Sequence, residues 1–217
     1  MTEICDWDGL VERDGLFYKR FTDVPFTGEV NEGLERGRFE DGEKDGPWVA
    51  YYDNGQLMEE GDYKDGGRHG PWGGYYDNGL LKEKGDYKDG EKDGPWVAYY
   101  DNGLLMEEGD YKDGGRHGPW VGYNDRGHLV EEGDYKIGNK HGPWVSYHGN
   151  GQLKEKGDYK RWGKHGPWVS YHENGQLKEK GDYKSSKPDG PWVSYDEDGK
   201  GIWENTGTFK NGVRVDM

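Results

Sequence analysis

The 217-residue sequence predicts an all-β fold: an elongated, single-layer, solenoid-like array of about seven antiparallel β-hairpin repeats, closed by atypical capping ends. Three observations predict it. Tryptophan recurs with a step of 24 at Trp48, Trp72, Trp96, Trp120, Trp144, Trp168 and Trp192, each preceded by Gly-Pro. Short period-2 runs rich in Trp, Tyr and Val flank turn-forming Asp-Asn-Gly, as at Asp53-Asn54-Gly55, where glycine supplies the positive φ a hairpin turn needs. The 40 glycines leave no uninterrupted window with apolar residues at helical spacing.

Residues 1–45 read as an N-terminal cap with a degenerate repeat ending in Gly37-Arg38-Phe39. All five phenylalanines lie toward the ends of the chain, at Phe17, Phe21, Phe26, Phe39 and Phe209, where an array needs a changed outer surface that also protects its edges from other chains. Residues 46–192 carry the regular repeats. The first of these reads as a strand from Trp48 to Tyr52, a turn, and a strand from Leu57 to Lys64. The link Asp65 to Pro71 breaks the strand with glycines and sets Pro71 at the first residue of the next one. Residues 193–217 hold the last hairpin and the C-terminal cap, with Gly207-Thr208-Phe209-Lys210 after two extra residues.

Aliphatic residues are scarce and aromatics make up 15% of the chain, so burial must be aromatic. One Trp removes roughly 150–250 Å² from water, an upper bound of about 4–6 kcal/mol at about 25 cal/mol per Å². An isolated hairpin is marginal, so stacking between repeats decides stability. Residues 41–72 and 89–120 differ only at Gln56 against Leu104, which points to duplication of repeat pairs.

The formal charge of −15 opposes nucleic acid and anionic lipid and favours a basic partner, although acidity also keeps an aromatic-rich array in solution. The single cysteine, Cys5, excludes an internal disulfide framework and a cysteine zinc site. Without an apolar stretch of about 18 residues or a basic-then-apolar leader in this sequence, a cytoplasmic location is expected.

Regular alternation sends Val49, Tyr51, Leu57, Glu59 and Tyr63 to one face, and Trp48 with Ala50 to the other. Both faces then carry aromatics. Either a bulge near the turn re-aims one set, or the curved sheet holds an aromatic groove open to a partner. The candidate partner-binding set is Trp72, Trp96, Trp120, Trp144 and Trp168 with Tyr75, Tyr99, Tyr123 and Tyr147, weighed against pure inter-repeat packing. Glu83, Glu107, Glu131 and Glu155 belong to the same set, as acceptors for Tyr, Trp or a partner's basic side chains, or else as a solvated row balanced by Lys82, Lys84, Lys154 and Lys156.

The links place Arg68, Arg116, Lys140 and Lys164 beside His69, His117, His141 and His165, a candidate anion-binding edge. Equivalent residues lie two strands apart, roughly 9–10 Å, so each phosphate would meet one pair and no two of these histidines could share a metal ion. Neither a metal nor a cofactor is expected. Ser146 with His148 and Ser170 with His172 have no distinguished orienting acid, and Asp196 to Gly199 fits a hairpin turn better than a calcium loop, so no enzyme constellation is expected.

The run from Glu60 to Gly70, Glu-Gly-Asp-Tyr-Lys-Asp-Gly-Gly-Arg-His-Gly, resembles the core of the MORN repeat. Gly46-Pro47-Trp48 and Tyr51 to Leu57 resemble its bacterial variant, the YwqK family of antitoxins, as does the opening Arg13 to Tyr18 with Pro25 to Gly28. The Pro-Trp after His-Gly, and Asp45, Asp93 and Asp189 in place of His, depart from the eukaryotic pattern. The resemblance implies an array of hairpins that serves as an interaction module, with another protein as partner: a basic toxin or peptide occluded by an antitoxin or immunity protein. The alternatives are a scaffold or phospholipid-associated protein, and an aromatic-cage binder resembling choline-binding repeats.

Overall fold

The computed structural model describes residues 2–161 and 163–216. The described residues form strands joined by turns, with two single-turn 3-10 segments at Trp7–Gly9 and Trp203–Asn205. It divides into two compact units, residues 1–104 with 111–114, and residues 105–110 with 115–217.

In the first unit the hairpin Leu10–Arg13 with Leu16–Lys19 precedes a meander of strands Gly28–Val30, Glu35–Glu40, Glu43–Tyr51, Leu57–Lys64, Gly67–Tyr75, Leu81–Lys88 and Glu91–Tyr99. Each strand of the meander pairs antiparallel with its neighbours in sequence. The second unit repeats the arrangement from Gly115–Tyr123 to Val213–Arg214.

The second strand of each repeat begins and ends as the sequence predicts, at Leu57–Lys64 in the first. The first strand starts five residues earlier than expected, at Glu43 rather than Trp48. What reads as a link is a two-residue turn. Asp65 (φ 49°) and Gly66 (φ 74°) both sit in the left-handed region, the geometry of a type I′ hairpin, and the chain is back in the ladder at Gly67. Pro71 is therefore inside a strand. It is tolerated because Gly70-Pro71 forms a bulge: Gly61 pairs with Trp72 but Asp62 with His69, so the missing N–H falls outside regular pairing.

A second bulge corrects the predicted alternation. Ala50 pairs with Glu59 and Tyr51 with Leu57, leaving Met58 as the extra residue. This shifts parity along the second strand, so Glu59, Gly61 and Tyr63 share the face of Trp48 and Ala50, while Val49, Tyr51, Leu57 and Glu60 occupy the other.

The indole face holds the core. All seven register tryptophans are buried, and the glycine that opens each Gly-Asp-Tyr-Lys makes room for them. Within each unit the indoles alternate with tyrosines that they meet edge-on. Trp48, Tyr63, Trp72, Tyr87, Trp96 and Tyr111 form one such ladder, and Trp120, Tyr135, Trp144, Tyr159, Trp168, Tyr183 and Trp192 another. Centroid distances run from 4.9 Å for Tyr183 and Trp192 to 6.2 Å for Trp144 and Tyr159. Edge-to-face pairs add roughly 0.5–1.5 kcal/mol each beyond the area they bury.

At the N-terminus the role of the ladder passes to Phe39, Phe26, Leu10 and Val30, which are buried, with Trp7 and Phe17 packed against them. Phe21 departs from the expected capping role: it is fully exposed at a loop tip. At the far end Phe209 pairs with Gly190, the place a tyrosine holds elsewhere.

Candidate functional site

The two sets of charged residues singled out from the sequence meet each other. Arg68 donates from Nη2 to Glu59 Oε2 at 2.8 Å while its guanidinium lies 4.2 Å from the Trp72 ring centroid. The same arrangement recurs for Lys92 with Glu83 and Trp96, Arg116 with Glu107 and Trp120, Lys140 with Glu131 and Trp144, and Lys164 with Glu155 and Trp168. Each basic side chain thus roofs an indole and is neutralised by the glutamate nine residues before it. The glutamate row is balanced by these cations rather than by Lys82, Lys84, Lys154 and Lys156.

Burial favours the neutral form of four ladder tyrosines, Tyr87, Tyr135, Tyr159 and Tyr183. Tyr183 is pushed up to about 12, first by burial and then by the charges of Glu179 and Glu155. Tyr87 and Tyr135 are raised mainly by burial, against the lowering effect of hydrogen bonds from Arg68 and Arg116. Tyr159 is raised by burial and then by Glu155 and Glu131.

The histidines of the links sit across the ladder from aspartates: His69 opposite Asp62, His141 opposite Asp134 and His165 opposite Asp158. Nδ1 of His69 and of His117 is buried without a hydrogen-bond partner among the described residues. His148 and His172 reach the carbonyls of Tyr171 and Tyr195 one repeat on, a stitch that Tyr52 and Tyr76 make in the first unit. Their imidazoles therefore tie repeats together instead of activating Ser146 or Ser170. Among the described residues no group of three or more His, Cys, Asp or Glu is placed to hold a metal ion. Among them, too, no helix is long and apolar enough to cross a membrane.

The opposite face is open. Proline, valine, tyrosine and leucine recur along it, with Pro exposed and the others only half-buried. In the second unit it forms a groove of about 670 Å³ lined by Pro143, Val145, Pro167, Val169, Tyr171 and Leu177, with Lys156, Asp158 and Lys180 beside them and Trp144, Gly157 and Trp168 completing the wall. Of these, sequence reading singled out Trp144 and Trp168 as partner-binding candidates, together with the register position of Tyr171 at Tyr75, Tyr99, Tyr123 and Tyr147, but not the prolines, valines or lysines. The signal was available in the position occupied by Glu60, Lys84, Glu108, Glu132, Lys156 and Lys180, the one charge on this face that changes sign between repeats.

Tyr75 and Tyr147 follow a glutamate and donate their hydroxyls to Glu60 at 2.7 Å and Glu132 at 2.8 Å, which raises both tyrosine pKa values. Tyr99, Tyr171 and Tyr195 follow a lysine, and among the described residues their hydroxyls have no such acceptor.

These features define a class: a tandem β-hairpin repeat protein whose polar and aromatic groups are spent on holding repeats together, with one face left for contact. The family is shown by six matches to the MORN repeat variant, at residues 44–65, 68–89, 92–113, 116–136, 140–161 and 164–185; the chain belongs to this family, whose repeats are in general non-catalytic modules that bind proteins or membranes. A comparison with curated proteins returns no match.

Proposed function

We propose that the chain is a non-catalytic docking array that receives another protein on its proline–valine–tyrosine–leucine face. The observation that carries this reading is the contrast between faces: indoles sealed under the chain's own cations on one side, an apolar groove on the other. The lipid and aromatic-cage alternatives lose their groups to internal contacts. The link cations that the sequence offered to a phosphate, such as Arg68, Lys140 and Lys164, are ion-paired, and the indole faces of Trp72, Trp144 and Trp168 are occupied by Arg or Lys.

Photo-crosslinking tests the reading. A photoreactive residue at Val145 or Val169 should capture a protein partner that one at Lys140 or Lys164, on the indole face, does not, and Val145→Asp with Val169→Asp should abolish the complex re-formed from purified components. Crosslinks confined to the other face or to the strand ends would remove it.

Within this reading the biological role we favour is that of an antitoxin or immunity protein that occludes a toxin in the cytoplasm, on the resemblance of the repeat and of the opening Arg13 to Gly28 to such proteins. Co-expression with the neighbouring gene is the test. Toxicity absent, or unrelieved by this protein, removes the role while leaving the docking face untouched.

A further inference from the structure

Resting on the docking reading, we infer that the groove around Tyr171 is an acid-specific subsite, built for an extended segment that presents a carboxylate at every third residue in polyproline II conformation.

The chain supplies its own example of what the subsite lacks. Where the face carries a glutamate, the tyrosine of the next repeat donates to it: Tyr75 to Glu60 and Tyr147 to Glu132. At the groove the glutamate is replaced by Lys156, which lines it together with Tyr171, and the Tyr171 hydroxyl has no acceptor among the described residues. Neither Lys156 nor Lys180 is ion-paired among them. A carboxylate arriving here would accept from the tyrosine and neutralise the lysine at once. Lys84 and Tyr99 form the same pair in the first unit, but glutamates Glu60 and Glu108 occupy the equivalent positions of the repeats before and after. At the groove, by contrast, two lysines follow in succession.

Pitch selects the conformation. Successive repeats are two strands apart, about 9.6 Å at about 4.8 Å per strand. A polyproline II helix advances about 9.3 Å in three residues, whereas a β-strand returns a side chain to the same side every 6.6 Å or so. Acidic residues three apart therefore meet Lys156 and Lys180 in step. Tyr171 with Pro143 and Pro167 provides the aromatic and apolar floor such helices use. Most of the net charge of −15 does not oppose this, because exposed charges more than about 10 Å away are screened at ordinary ionic strength; Asp158, which also lines the groove, is the local acid, outnumbered there by Lys156 and Lys180.

Fluorescence anisotropy on the full chain tests the inference with three labelled peptides: a Glu-Pro-Pro repeat, its Gln-Pro-Pro counterpart, and a peptide of the first composition with the glutamates clustered. The glutamate repeat should bind at least about ten-fold more tightly than either of the others, and more weakly as salt rises. Lys156→Glu with Lys180→Glu should abolish binding, and the milder Lys156→Gln with Lys180→Gln should weaken it in the same direction. Tyr171→Phe should weaken it about three-fold or more, with Lys84→Glu as an unchanged control. Equal affinity for the glutamate and glutamine repeats, or indifference to the lysine variants, would overturn the acid subsite. Equal affinity for the clustered peptide would overturn the polyproline register. Glutamine peptides that bind as well as glutamate ones would still leave a protein-docking face, so failure here is separable from failure of the crosslinking test.

Discussion

A methyl group placed on Gly133 would lie 2.1 Å from Cε3 of Trp144, a separation no carbon pair sustains. Gly133 pairs directly with Trp144 across the ladder, so the indole lies flat over the bare backbone of the preceding repeat. The same relation joins Gly61 to Trp72 and Gly181 to Trp192. These glycines are not in the left-handed region, so steric room and not conformational freedom is what they provide.

Gly133→Ala should consequently expel the Trp144 ring and break the ladder between Tyr135 and Tyr159. A loss of about 2–3 kcal/mol in urea unfolding followed by tryptophan fluorescence is expected. An unchanged midpoint would mean that the indole can repack elsewhere.

The register of Trp48, the Asp53-Asn54-Gly55 turn and the strand Leu57–Lys64 were all legible, because each rests on local chemistry: a fixed spacing, a residue that tolerates positive φ, a run of alternating polarity. What was not legible came from counting. Asp65-Gly66 carries the Asp-Gly signal of a type I′ hairpin as clearly as Asn54-Gly55 marks its own turn, yet the glycines and Pro71 that follow read as a break in the strand. Met58, a single extra residue, then reverses the facing of Glu59 and Tyr63, and with it the environment of every charged side chain on that strand. Parity propagates: the sequence offered a bulge near the turn as one of two alternatives, and reading the strand without it turned internal ion pairs such as Arg68 with Glu59 into an apparent basic edge and an apparent acidic row.

Ile137 tests the turn chemistry. It occupies the first position of a type I′ turn at φ 51°, where the equivalent residues are Asp65, Asp89 and Asp113. A β-branched side chain is poorly suited to the left-handed region, which costs it roughly 1–2 kcal/mol. It is also exposed, so no packing compensates. Ile137→Asn should raise stability by about 1 kcal/mol, read as a higher thermal midpoint. A lower midpoint would show that the isoleucine makes a contact worth more than the backbone strain.

Lys140 and Glu131 test how much the roof over the indoles contributes through charge. Their nitrogen and oxygen are 3.0 Å apart, and the side chains retain 30% and 33% of their exposure. Solvent screening at that exposure limits the pair to less than about 1 kcal/mol. A double-mutant cycle with Lys140→Met and Glu131→Gln should give a coupling energy in that range, shrinking as salt is added. Methionine should keep most of the cover over Trp144, so Lys140→Ala should cost more than Lys140→Met. The reverse order would assign the stabilisation to charge instead.

Four ladder tyrosines, Tyr87, Tyr135, Tyr159 and Tyr183, set an alkaline limit. Their folded pKa values lie above the ordinary value near 10, with Tyr183 at about 12, because burial disfavours the phenolate. An acid group with a raised folded pKa contributes its full stabilisation below the unfolded value. Between the two values the unfolded chain releases protons that the folded chain retains, so stability falls as pH rises. The thermal midpoint should therefore hold steady up to about pH 9 to 10 and decline from there to about pH 12. Tyr183→Phe should flatten part of that decline, since it removes the group with the largest shift while keeping an edge-to-face ring against Trp192. Tyrosinate absorbance near 295 nm, followed on the same samples, should rise in two stages, with the later stage coinciding with the loss of tryptophan burial. Ionisation of all tyrosines in one step near pH 10, with the fold intact, would contradict the buried ladder.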